Sequence, residues 1–159
     1  MDTLQILCAL RDLRSFTGVF PSNLLPHSKA HACTVIINAD HHTEKGSHWL
    51  AVQFLSKSSS AFYFDSYVMP PTLVPAIHEF IRRNCTVWDY NKKQQQGLTS
   101  NVCGKYCCLF ALYASRGYSP RQIVGLLDAE VREIERAFLA EFGPPLRPRR
   151  RNGCQCSRL

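Results

Sequence analysis

Gln96-Gly97-Leu98-Thr99-Ser100-Asn101-Val102-Cys103-Gly104-Lys105-Tyr106-Cys107-Cys108 is the stretch on which the fold of this chain turns. From Val102 to Ala114 nearly every residue is apolar and only Lys105 is charged, which predicts a central helix buried on almost every side. Ser100 or Asn101 can cap its start, and Gly117 can close it in the left-handed conformation that helix ends favour. A thiol in the first turn faces unpaired backbone N–H groups and the positive end of the helix dipole, both of which favour thiolate. Cys103 therefore stands where a nucleophile would stand, and Gly104 leaves its approach free of a side chain. Free cysteines also pack as small hydrophobes, which is the reading of Cys107 and Cys108. For Cys103 the decision rests on whether a histidine, an acid and an oxyanion donor occur elsewhere in the chain.

A length of 159 residues, 45% of them hydrophobic and 11% aromatic, suits one globular domain with one sizeable core. There is no apolar run of membrane-spanning length and no signal-peptide pattern at the start, so the expectation is an intracellular protein that is not secreted. Eight cysteines cluster unevenly, and adjacent Cys107 and Cys108 on a helix cannot bridge each other. Reduced thiols are expected, and the spacing matches no paired Cys-x-x-Cys zinc site. The net charge of +7 is concentrated at the end: residues 1–146 are near neutral, whereas 147–159 hold five arginines and no acid. The chain thus divides into a domain over 1–146 and a basic, flexible tail over 147–159 that also holds Cys154 and Cys156. Arg147, Arg149, Arg150 and Arg151 offer an electrostatic contact to nucleic acid.

Residues 2–11 can form a short helix burying Leu4, Leu7 and Cys8, and Phe16–Pro26 reads as a packed irregular loop. Ala32–Asn38 has the β-branched content of a buried strand. His48–Leu55 and Ala61–Ser66, joined by a short polar link, predict an antiparallel hairpin. That hairpin brings His48 and Asp65 to the same end. A helix over Thr72–Asn84 with Leu73, Ile77, Phe80 and Ile81 as its apolar positions precedes a strand at Thr86–Tyr90. One long helix is expected from Pro120 to about Phe142, opened by a Ser119–Gln122 capping box and striped by Ile123, Leu127, Ile134 and Phe138.

Cysteine-based acyl transfer needs a base for the thiol proton, an acid to hold that base and donors for the oxyanion. His48 suits the base, and Trp49 beside it can cover the site. Asp65 suits the acid, because an unpaired carboxylate at the end of an aromatic run is costly. Taken alone, His48 is also an ordinary strand-edge histidine and Asp65 an ordinary turn residue. His27 and His31 lie in a polar stretch and read as surface residues. Gln96 can offer its amide to the oxyanion beside the Cys103 N–H, with Gln94 and Gln95 as rivals.

Taken together, His48-Trp49, Asp65 closing an aromatic strand, and Gln96-x6-Cys103-Gly104 with Cys107-Cys108-x-Phe110 resemble the adenovirus protease family, adenain. More distantly they resemble the ubiquitin-like-protein-specific proteases. The resemblance spans roughly residues 15–114, and its seven-residue Gln-to-Cys interval selects Gln96 over its neighbours. It implies an α+β fold of papain-like architecture, a small, mainly antiparallel sheet against a central buried helix. It also implies Cys103, His48, Asp65 and Gln96 as catalytic residues, Trp49 and Gly104 at the substrate, and cleavage after glycine in short motifs. The implied role is the processing of viral or mobile-element structural proteins during virion maturation, in the host nucleus and virion if the chain is viral. In that family a cysteine eleven residues before the glutamine forms a disulfide with a basic activating peptide, and DNA stimulates the enzyme. Cys85 holds that position here, and the tail Arg149–Cys154 has the character of such a peptide. The plainer reading of Cys85 is a buried cysteine at a helix–strand junction. The residues themselves call for no metal or organic cofactor. Two alternatives remain: a deubiquitinating or deSUMOylating isopeptidase with the same chemistry, and a non-catalytic basic nucleic-acid-binding protein.

Overall fold

The structure is a computed structural model, and it describes residues 1–27, 32–55, 59–97 and 100–144. The basic tail, with Arg147, Arg149–Arg151, Cys154 and Cys156, and His31 lie outside the described residues.

Five strands form one sheet in chain order, β1 Phe16–Pro21, β2 Cys33–Asn38, β3 Trp49–Phe54, β4 Ser60–Phe64 and β5 Val87–Tyr90. The two inner pairings, β2 with β3 and β3 with β4, are antiparallel as the hairpin reading requires, and the two outer strands pair in parallel. Every residue of β2 is buried, because helices cover both faces of the sheet. Alternate side chains divide the core accordingly. Ile36, Trp49, Ala51, Phe62 and Phe64 join the central helix α3 (Cys103–Ser115) on one face. Val35, Leu50, Val52 and Tyr63 join α2 (Pro75–Asn84) on the other.

Helix α3 is buried from Cys103 to Leu112 except at Lys105, as its composition predicts. Phe110 stacks on Phe64 at 4.9 Å and on Phe62 at 6.2 Å, fixing the helix across β4. Lys105 is neutralised by Glu135 of α5 (Val131–Phe142). Gly117 closes the helix at φ +87°, as expected. Its start differs from expectation: the cap residue is Val102, with no side-chain hydrogen bond, so neither Ser100 nor Asn101 covers the first-turn N–H groups.

Four further sequence readings are corrected. Helix α1 (Thr3–Leu10) buries Ile6 and Leu10, whereas Leu4 and Cys8 are exposed and Leu7 half-buried; its start is fixed by an Asp2–Gln5 capping box. Phe16–Pro21 is a strand rather than a loop, since a register shift between Phe16 and Gly18 absorbs the glycine and Pro21 ends an edge strand. Leu73 is exposed, because a single 3-10 turn over Pro71–Leu73 precedes α2 and Pro75 opens the helix proper. The expected long C-terminal helix is two, α4 (Pro120–Leu126) and α5. A second capping box, Glu130 with Glu133, starts α5, and the break lets Ile123, Leu127, Ile134 and Phe138 all reach the core.

Candidate active site

Three elements converge at one end of the sheet. His48 immediately precedes β3, Asp65 immediately follows β4, and Cys103 opens α3, which packs across β3. The β3–β4 register pairs Ala51 with Phe64, so its continuation sets His48 and Asp65 at the same open end of the hairpin. The loop leading into β3 turns back through Gly46 at φ +77°, where a Cβ would collide with the Asn38 side chain.

His48 Nε2 lies 2.9 Å from Asp65 Oδ1, and both residues are buried, at 5% and 0% exposure. The same Asp65 oxygen accepts the Tyr67 N–H at 2.7 Å, while Oδ2 accepts the Tyr63 hydroxyl at 3.3 Å. The Asp65 carboxyl group is thus buried with three hydrogen-bond partners, as burial of so polar a group requires. The opposite imidazole nitrogen, Nδ1, is buried and has no hydrogen-bond partner among the described residues, and the ring as a whole interacts with Cys103 as well as with Asp65.

Charge settles on that sulfur and that ring. Burial opposes the charged form of His48, but the hydrogen bonds and negative charges of Asp65 and Cys103 prevail and raise its pKa from 6.5 to about 9. For Cys103 burial pushes the thiol up, while His48 and the backbone N–H groups of Trp49 and Gly104 outweigh it and hold the thiol below its usual range. The two other thiols of the helix go the opposite way: burial raises Cys107 well above the ordinary value and pushes Cys108 up to about 12. Of the three thiols of the helix, Cys103 is the one held below the ordinary range.

Gln96 is 3% exposed; its Nε2 donates to the Ser100 carbonyl at 3.3 Å, and its Oε1 is buried without a partner among the described residues. Gln95 is also buried, but its amide donates back to Lys93, and the Tyr106 hydroxyl donates to its carbonyl at 2.7 Å. The amide tied to the segment entering α3 is thus that of Gln96. Trp49 and Gly104 lie side by side: a Cβ on Gly104 would stand 3.3 Å from the indole and 3.1 Å from Met1. The indole N–H donates to the Met1 carbonyl at 3.0 Å, and Trp49 and Met1 wall a cavity of about 250 Å³ that also reaches Asn38 and His41. Cys85 sits apart from this group, at the end of α2; it is buried, and its thiol donates to the Ile81 carbonyl at 3.2 Å. His27 is exposed, as expected.

Two residues were not singled out from sequence. Asn91 is 3% exposed; its Oδ1 accepts the Asp65 N–H at 3.0 Å and its Nδ2 donates to the Asp65 carbonyl at 2.7 Å. Tyr67 lies with its ring 4.7 Å from that of His48. The strand-end position of Asp65 was a signal for Tyr67, two residues on and therefore opposite His48 in the hairpin register.

In comparison with known proteins the chain is similar to the proteases of adenoviruses. It is 28% identical over 163 aligned positions to the protease of porcine adenovirus A serotype 3, covering 92% of this chain and 79% of that protein. It is 27% identical to the bovine adenovirus 2 protease (62% of this chain, 52% of that one). To the human adenovirus B serotype 3 protease it is 26% identical (65% and 54%). The match thus spans about half the length of the latter two. Among solved structures, ChlaDub1 from Chlamydia trachomatis aligns with a TM-score of 0.43 and 18% identity, over 85% of this chain and 76% of that one. No protein-family model matches the chain. Among the described residues, no helix is long and apolar enough to cross a membrane.

Proposed function

We propose that this protein is a thiol endopeptidase in which Cys103 is the nucleophile, His48 the general base and acid, Asp65 the group that orients His48, and Gln96 an oxyanion donor. The observation that carries the reading is the placement of His48 between an acid and a thiol. Asp65 holds Nε2 at 2.9 Å, and the ring also interacts with Cys103, whose thiol is held below its usual pKa.

In the resting site the proton of Cys103 resides on His48, giving thiolate and imidazolium. The thiolate attacks the scissile carbonyl carbon, forming a C–S bond, and the carbonyl π electrons move onto oxygen. The uncapped first turn of α3 leaves the Cys103 N–H without a side-chain acceptor, and together with the Gln96 amide it stabilises that oxygen. His48 returns its proton to the amine as the C–N bond breaks, leaving a thioester. Water then gives a proton to His48 and its oxygen to the acyl carbon, the C–S bond breaks, and an acid and the thiolate result. Asp65 accepts a hydrogen bond from His48 throughout and does not itself take the proton.

Gly104 is packed closely against Trp49 and Met1, so the ground beside Cys103 is narrow, which is in keeping with cleavage after glycine. The relatives are enzymes of viruses, and processing of viral or mobile-element structural proteins is the role this reading assigns. Activation by a basic peptide through Cys85, and binding of DNA by Arg147 and Arg149–Arg151, complete the proposal by analogy with the family.

Reaction of reduced protein with an electrophilic peptide ending in Gly-Gly tests it, with intact-mass readout and Cys103→Ala and His48→Ala controls, with and without DNA and a basic peptide. One adduct per chain, lost in both variants, is the expected result. No adduct under any condition in a folded protein overturns it. Cleavage of a ubiquitin-type fusion in preference to a short glycine peptide would redirect the same chemistry to an isopeptidase substrate.

A further inference from the structure

The turn after β4 holds a backbone conformation that its residue disfavours. Val68 lies at φ +63°, and among the described residues it is the one non-glycine residue with positive φ. A β-branched residue there is strained, and it persists where surrounding contacts over-determine it. Those contacts converge on its neighbour. Val68 N–H donates to the Asp65 carbonyl at 2.9 Å, and Tyr67 N–H donates to the Asp65 carboxylate at 2.7 Å. The Tyr67 ring then packs on His48, centroids 4.7 Å apart at 40°. Its hydroxyl donates to the Ser100 carbonyl at 2.8 Å, the same oxygen that receives the Gln96 amide.

We propose that Tyr67 is a positioning residue of the reaction, whose ring fixes the imidazole of His48 while its hydroxyl, through the Ser100 carbonyl, holds Gln96 in register with the start of the Cys103 helix. This rests on the protease reading given above. No other described side chain bonds or stacks with both the base and the segment entering the nucleophile helix. The strained turn follows from that double duty, since the ring must face the imidazole while the hydroxyl reaches a carbonyl 33 residues away in sequence. The titratable groups that face His48 are Asp65 at the end of β4, Cys103 of α3 and Tyr67 itself, while Tyr63 and Cys107 act on Asp65 behind them. Substituting Tyr67 by Phe or Leu removes none of the carboxylates or thiols.

The test compares wild type, Tyr67→Phe and Tyr67→Leu on a glycine-containing peptide, with kcat and KM separated. Alongside it, the rate of iodoacetamide labelling at Cys103 is followed against pH. Tyr67→Phe keeps the ring and loses one hydrogen bond, so kcat falls about fivefold to tenfold with KM within twofold, and the labelling profile stays that of wild type. Tyr67→Leu frees the imidazole to rotate, so kcat falls about a hundredfold and labelling at neutral pH slows with it. Restoration of labelling by Phe relative to Leu, with both variants folded by circular dichroism, is the expected pattern. If Tyr67→Leu does not fold, the Phe variant decides alone. Overturning results are a kcat within twofold of wild type for Tyr67→Phe, or labelling lost equally in Phe and Leu. Wild-type labelling that does not depend on His48 overturns the protease reading itself, and this proposal with it.

Discussion

Asn91 grips Asp65 by the backbone, accepting its N–H at 3.0 Å and donating to its carbonyl at 2.7 Å, so the carboxylate facing His48 is set by a residue 26 positions away in sequence. The clamp reaches further than one residue. Ser66, next to Asp65, accepts the N–H groups of both Gln95 and Gln96, and Asn91 also donates to the Lys93 carbonyl. The strand ends that present the acid and the segment that presents the glutamine are therefore one hydrogen-bonded unit.

Asn91→Ala leaves the buried Asp65 N–H unpaired, at a cost of about 1–3 kcal/mol, and takes from the Asp65 carbonyl one of its two donors, leaving the Val68 N–H, at a further cost of about 1 kcal/mol. The expected loss of stability is about 2–4 kcal/mol in urea unfolding, accompanied by a fall in kcat. Equal stability to wild type would mean that the reciprocal pair contributes nothing and that Asp65 is held by other contacts.

Two shifts of opposite sign predict an unusual pH dependence of stability. The pKa of His48 is raised in the folded state, so its contribution is whole below pH 6.5 and is lost as pH rises through about 9. That of Cys103 is lowered, so its contribution is whole above the ordinary thiol value of 9.0 and is lost as pH falls through the folded value. Wherever the folded site holds the ion pair and the unfolded chain the neutral pair, both bind the same number of protons and the two contributions offset each other. Wild-type stability is level there as far as this pair is concerned. Cys103→Ala leaves only the His48 share and grows less stable relative to wild type as pH rises. Urea melts at pH 6.5 and 8.5 make the comparison, and parallel behaviour of the two proteins would rule out a thiolate–imidazolium pair.

The neighbouring thiols have a separate expectation. Cys107 and Cys108 are fully buried and held protonated by burial, so they are packing groups. Cys107→Ala and Cys108→Ala each cost roughly 1–2 kcal/mol and leave labelling of Cys103 in place. Thermal melts and mass mapping after labelling decide it, and a loss of Cys103 labelling in either variant would assign that thiol a part in the site.

What the sequence made legible were the elements whose own pattern is strong. The all-apolar run from Val102 to Ala114 could only be a central helix, and two strands with a short polar link could only be a hairpin. Once the hairpin is drawn, His48 and Asp65 fall at one end of it, and Cys103 joins them through the packing of α3 on β3. Strand β1 was not legible, since a segment with glycine and two prolines reads locally as a loop and becomes a strand only by pairing in parallel with β2. The split of the last helix was hidden because Ile123, Leu127, Ile134 and Phe138 keep a helical stripe across the break. Tyr67 and Asn91 act through partners 33 and 26 residues distant, and neither carries a local motif.

The most direct measurement is the rate at which iodoacetamide labels Cys103 from acid to alkaline pH, in wild type and in His48→Ala. The account predicts labelling at neutral pH with a profile displaced below the ordinary thiol range, and a sharp slowing when His48 is removed. A rate that instead rises only near pH 9.0, alike in both proteins, would show an ordinary buried cysteine and contradict the account.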